Sequence, residues 1–121
     1  MYDPQRNLSR LGKSKFRARF RLSESDRAYA AEKGIETIRE HAFDFVRKRL
    51  SPPRAPNDGR QTPMRGHPVF LAMHATACCC RGCLEKWHGI PQGRALLPRE
   101  EEEIVSLLMS WIGPQLGEDQ R

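Results

Sequence analysis

Long apolar runs are missing from this 121-residue chain. No stretch approaches the roughly 20 residues needed to cross a bilayer, so a membrane-spanning helix is not expected. The opening segment, MYDPQRNLSRLGKSK, has no apolar centre of the kind a secretory signal carries. A cytoplasmic location is therefore expected. Cysteine is scarce: there are four, at positions 78, 79, 80 and 83. In a reducing compartment so few, so close together, point to metal or redox chemistry and away from a disulfide framework. Neighbours along the chain would also pair poorly on geometric grounds. Several catalytic patterns are absent too. There is no H-E-x-x-H, no P-loop and no dinucleotide-binding glycine pattern. No internal repeat is found.

What is present is uneven. Residues 1–66 carry sixteen Lys/Arg and eight Asp/Glu, a balance of +8, while residues 67–121 carry five and seven, a balance of −2. A basic first half is compatible with a polyanionic partner such as nucleic acid, bound without base specificity. No helix-turn-helix or finger pattern supports base readout. The size suits one domain. Residues 1–14 are expected to form a flexible arm, 15–113 a single globular domain and 114–121 a frayed tail.

The expected architecture is mainly α, a compact helical domain with a short extended segment near its N-terminus. That segment is KFRARFRL, which alternates strictly: Phe16, Ala18, Phe20 and Leu22 on one side, Lys15, Arg17, Arg19 and Arg21 on the other. Period two reads as a half-buried strand whose basic side could grip phosphates. A solvated edge that blocks strand pairing accounts for the same pattern. Ser23 then reads as an N-cap, with Glu24 and Asp26 in the first turn. Ala31, Ile35, Ile38, Ala42, Phe45 and Val46 make an amphipathic helix from about Ser25 to Leu50, which Gly34 could bend or split. His41 and Asp44 stand one turn apart on it, and a histidine held by a neighbour is preferred to a ligand.

SPPRAPNDGRQTPMRG is a long loop, with Arg60 and Arg65 able to meet an anion or simply solvated. Pro68 suits the first position of a short, wholly apolar helix. CLEKWH reads as a second short helix stopped by Gly89 and Pro91. Pro98 opens the last helix, where Glu100 to Glu103 read as a solvated acidic start, Ile104, Leu107, Leu108, Trp111 and Ile112 form the apolar face, and Gly113-Pro114 ends it.

The window from His67 to Ile90, HPVFLAMHATACCCRGCLEKWHGI, holds all four cysteines and three of the four histidines. Cys80-Arg81-Gly82-Cys83 can chelate one soft ion, and zinc wants four ligands. His74, Cys80, Cys83 and His88 are the expected set, with zinc the expected cofactor in a structural role. Cys79 could replace either histidine. Cys78 could face His74 were the helix to continue, and His67 is the weakest alternate. A hydrolytic site would use a metal-bound water with Glu85 as base. A reactive thiol would be Cys80 or Cys83, favoured by Arg81, with His74 or His88 as base. The nucleotide-deaminase pattern fails, because His74-Ala75-Thr76 lacks its Glu and the cysteines lack the preceding Pro. Buried reduced cysteines packed as small hydrophobes, with Trp87 in the core, explain the composition without any ligand.

GHPVFLAMHATACCCRGCLEKWHGIP, with KSKFRARFRLSESDRAYAAEKGIETIREHA and NDGRQTPMRGHP upstream, resembles a small bacterial and phage family catalogued only as domain of unknown function 4186. The resemblance spans about residues 13–112. Members usually carry a residue other than cysteine in the place of Cys78, which implies that Cys79, Cys80 and Cys83 are the thiols that matter. The resemblance implies no activity.

Overall fold

The computed structural model describes residues 3–53 and 62–116. These form helices α1 (Pro4–Leu11), α2 (Lys15–Ala18), α3 (Glu24–Lys33), α4 (Ile35–Arg49), α5 (Pro68–Ala75), α6 (Arg81–His88) and α7 (Pro98–Leu116), with no strand among the described residues. Arg60 and the tail from residue 117 lie outside them.

The long helix α7 is the hub. It packs most extensively against α4, then against α1 and α5. Its buried face is Ile104, Val105, Leu107, Leu108, Ile112 and Leu116. Facing it, α4 presents Ile38, Ala42 and Val46, spaced by four and fully buried. Each buried Leu, Ile or Val contributes roughly 1.5–3 kcal/mol. α5 has no solvated stripe: seven of its eight residues are buried. It is the central element on which the loop before it and α6 after it are mounted.

Local chemistry sets the boundaries. Ser23 and Asp26 form a reciprocal capping box at α3. Gly34, at φ 90°, separates α3 from α4, so the expected long helix is two. His67 caps α5, its Nδ1 accepting from Val69 N at 3.0 Å, with Pro68 following. Gly89 closes α6 in the left-handed conformation.

Three expectations change. The KFRARFRL segment is not a strand. Ser14 Oγ caps Arg17 N at 3.3 Å and winds residues 15–18 into α2, after which Phe20 to Ser23 run without regular structure. The two-sided pattern is lost with it: Phe16 is 45% exposed while Arg17 is half-buried. The expected arm contains α1, capped by Asp3 and anchored by buried Leu11. And α7 runs through Gly113-Pro114 to Leu116. Proline so near a helix end forfeits a single hydrogen bond. Buried Leu116 holds the last turn, and Gln115 ties it down by donating to Trp111 O at 3.2 Å and accepting from Leu22 N at 2.7 Å.

The acidic start of α7 is only partly solvated. Glu100 is buried, bound by both Nη groups of Arg94 at 2.8 Å and by Leu97 N at 2.9 Å. Arg94, with the backbone bond, holds its carboxyl down at about 2. Glu101 accepts from Ser51 and Arg47 of the α4 end.

Candidate metal centre

The turn between α5 and α6 aims the cysteines. Ala77 has φ 60°, the only positive value on a non-glycine among the described residues. A left-handed alanine costs about 1–2 kcal/mol. It is held by Cys78 N donating to Met73 O at 2.8 Å and by full burial. The chain thus reverses sharply off α5, and Cys79 and Cys80 arrive at the N-terminus of α6. Cys80 is the cap, its Sγ accepting from Cys83 N at 3.4 Å. Cys83 lies one turn in. The sulfurs of Cys79, Cys80 and Cys83 all fall within 4.8 Å of one another, and Cys79 and Cys83 are 3.5 Å apart. With Zn–S bonds of ~2.3 Å, a tetrahedral ion has sulfurs about 3.8 Å apart. The Cys79–Cys83 separation is close to that spacing before any ion is added, and the other two lie within 4.8 Å.

Arg17 reaches in from α2. Its Nη1 donates to His74 O at 2.6 Å and to Cys79 Sγ at 3.7 Å, and its Nη2 to Cys83 Sγ at 3.4 Å. Thr62 Oγ1 binds Cys79 O at 2.8 Å from the other side. Neither residue was expected here. The alternation in KFRARFRL points Arg17 at phosphates, but its partners lie 57 to 66 positions along the chain, a separation that local spacing cannot reveal. Lys15, Arg19 and Arg21 are exposed, so only three of the four basic residues face outward.

The histidines go elsewhere. His74 Nε2 meets the carbonyls of Thr62 (3.2 Å) and Pro63 (3.1 Å), and the ring stacks on Phe20. His88 Nε2 meets Thr76 O at 2.8 Å, with Cys78 Sγ 3.7 Å away. Both rings face backbone carbonyls through Nε2, a donor's role. Of the expected set of His74, Cys80, Cys83 and His88, the structure brings Cys80 and Cys83 together, joined by the alternate Cys79, and leaves both histidines out of the group. His67 is remote from the sulfurs, bonded to His41 at 3.0 Å, so His41's partner is not Asp44. Glu85 is exposed and accepts from Gln92 N at 3.3 Å and Nε2 at 3.2 Å. Arg81 does not face the thiols. It is buried and donates to Leu50 O, Pro52 O and Pro91 O.

The model of a family described as Domain of unknown function (DUF4186) matches residues 5–113. The chain belongs to that family. No solved structure matches it. The DUF4186 match takes in Arg17, Thr62 and the cysteine trio, so the whole site lies inside the family region. No helix is long and apolar enough to cross a membrane among the described residues.

Charge in this DUF4186 site is unequally shared. The Cys79 thiol is pulled down to about 7, first by the Cys83 thiol donating to it, against burial, and then by Arg17. Cys83 is pushed up, by that same donation and by burial. Burial raises Cys80, and pushes Cys78 to about 12. Without a metal, Cys79 is the cysteine most readily ionised, its thiolate favoured by a thiol and a guanidinium.

The remote His67 carries a pH dependence. Its Nδ1 accepts a backbone N–H, which leaves Nε2–H to donate to His41 Nδ1. Burial, then the adjacent His41, lowers it to about 4, Asp26 opposing. Between pH 6.5 and 4 the unfolded chain therefore takes up a proton that the folded chain refuses. This contribution to stability is complete above 6.5 and is lost as pH falls towards 4. Allowing for solvent screening, it is on the order of 1–2 kcal/mol. Urea unfolding at pH 7.5 and 4.5 measures it, and His67→Asn, which keeps a cap without titrating, should flatten the difference. An unchanged slope in that variant would refute the assignment.

Proposed function

We propose that this protein holds one zinc ion in a structural role through the thiolates of Cys79, Cys80 and Cys83. The observation that carries this reading is the convergence of three sulfurs within 4.8 Å at the start of α6. Charge supports it. Three thiolates and a dication leave one negative charge, and the Arg17 guanidinium, already bonded to two of the sulfurs, balances it. Bound there, the ion would tie α2, the Ala77 turn and α6 together. The three sulfurs would leave the fourth position to water or a small ligand, as in catalytic zinc sites. The structural role is preferred because no carboxylate joins the sulfur group among the described residues to serve as a base. A hydrolytic role loses support because Glu85 is engaged by Gln92. Elemental analysis of protein purified without an affinity tag should find one zinc per chain, and chelation should lower the melting temperature. Metal-free protein whose melting is unmoved by added zinc would end the proposal.

A second reading is favoured by one observation, the placing of Cys79 Sγ 3.7 Å from Arg17 Nη1 and 3.5 Å from Cys83 Sγ, which eases loss of its proton. In metal-free protein, Cys79 is then a reactive thiol, in place of the expected Cys80 or Cys83. At pH 7, iodoacetamide should label Cys79 about tenfold faster than Cys80, with Arg17→Gln narrowing the difference. Equal rates at all four cysteines would dismiss it.

A further inference from the structure

Between α1, α2 and α7 lies an open cavity of about 410 Å³ that the thiol site does not use. Leu8, Leu11 and Trp111 form much of its apolar lining, and the lining also includes Ala18, Arg17 and Arg21. The volume falls in the range of small-molecule sites, roughly 300–1,000 Å³. No Asp or Glu lines it, and neither arginine is ion-paired with a carboxylate among the described residues. Arg17 turns its Nη groups to the sulfurs and to His74 O, so it belongs to the thiol site and leaves the cavity's charge to Arg21. Arg21 is exposed and spends one Nη on the carbonyls of Ala18 and Phe20. Its Nε and second Nη can still be directed at a ligand in the fork geometry that suits a carboxylate.

An apolar cavity with Arg21 at its edge and no lining carboxylate selects for a negative charge on an apolar body. A neutral polyol would leave the Leu8, Leu11 and Trp111 wall unmatched, and a neutral hydrocarbon would leave the Arg21 charge unanswered. We infer that this cavity binds a small amphiphilic monoanion, an organic carboxylate whose apolar part lies against Leu8, Leu11 and Trp111 and whose carboxylate meets Arg21. The site is distinct from the proposed metal centre and shares only Arg17 with it.

The probes are octanoate and its neutral counterpart 1-octanol, titrated calorimetrically into the full chain, with and without zinc. Octanoate should bind saturably at one site, and 1-octanol about tenfold more weakly. Arg21→Gln should bring octanoate down to the 1-octanol level while leaving 1-octanol unchanged, which also shows the cavity intact; Arg21→Lys should recover part of the loss. No saturable binding of octanoate, equal binding of the two probes, or an Arg21→Gln protein that binds octanoate as before would each overturn the inference. These results do not depend on whether zinc binds, so this site and the thiol site fail or stand separately.

Discussion

Serine in place of Cys79, Cys80 or Cys83 is expected to lower zinc affinity by roughly a hundredfold or more, measured by competition with a chromophoric chelator. His74→Gln, His88→Gln and Cys78→Ser should each stay within about threefold of the parent chain. The contrast follows from where the atoms point. The three sulfurs already face one another, with Cys79 and Cys83 3.5 Å apart, while both imidazoles are committed to backbone carbonyls. Neither ring places a nitrogen, Nδ1 or Nε2, in the sulfur group, and the Nε2–carbonyl bonds hold both rings in their present positions. Affinity should also rise with pH, because Cys80 and Cys83 are held protonated in the metal-free site and must give up protons to bind. A loss for either histidine variant as large as that for a cysteine variant would contradict this picture.

The largest effect on stability away from the apolar core is expected at Arg81. The sequence places it inside the C-x-x-C turn, where it looks like a partner for the thiols. It is instead 2% exposed and joins three carbonyls: Leu50 O at 3.0 Å, Pro52 O at 3.3 Å and Pro91 O at 2.6 Å. These belong to the end of α4, the turn after it and the turn after α6. One guanidinium thus fastens three segments, and planar geometry lets it reach all of them. Arg81→Ala leaves the carbonyls without their donor and opens a space in the interior. A buried acceptor stripped of its partner costs about 1–3 kcal/mol, and the Pro91 carbonyl lies near solvent, so a total near 3 kcal/mol is expected. That is a large share of the roughly 5–15 kcal/mol of a small domain. Urea unfolding would measure it. Arg81→Lys should recover only part, since an ammonium cannot serve three separated acceptors. A loss below about 1 kcal/mol for Arg81→Ala would mean that water replaces the side chain.

Much of the helical layout is legible in the chain because it is written in local chemistry. Ser23 with Asp26, Gly34, Pro68 and Gly89 act on their immediate neighbours, and each sits where its type predicts. The misreadings come where distant residues decide. The alternation in KFRARFRL is real, but the Ser14 cap and the sulfur partners of Arg17 outweigh it, so a basic residue turns inward and Phe16 stays exposed. Pro114 looks like a terminator until Leu116 and Gln115 hold the last turn in place. At the candidate site, the dense window was visible, and spacing made the histidines attractive as ligands. Which side they face is fixed by the reversal at Ala77 and by the Thr62-Pro63 carbonyls, and neither leaves a mark in the window itself.

Zinc-edge X-ray absorption on the loaded protein addresses the ligand set most directly, because sulfur and nitrogen scatter at different distances. Three sulfurs at about 2.3 Å with at most one light atom at about 2.0 Å is the predicted first coordination sphere. Two sulfurs and two imidazole nitrogens would restore the set that spacing alone suggests and would contradict the convergence of Cys79, Cys80 and Cys83 on one ion.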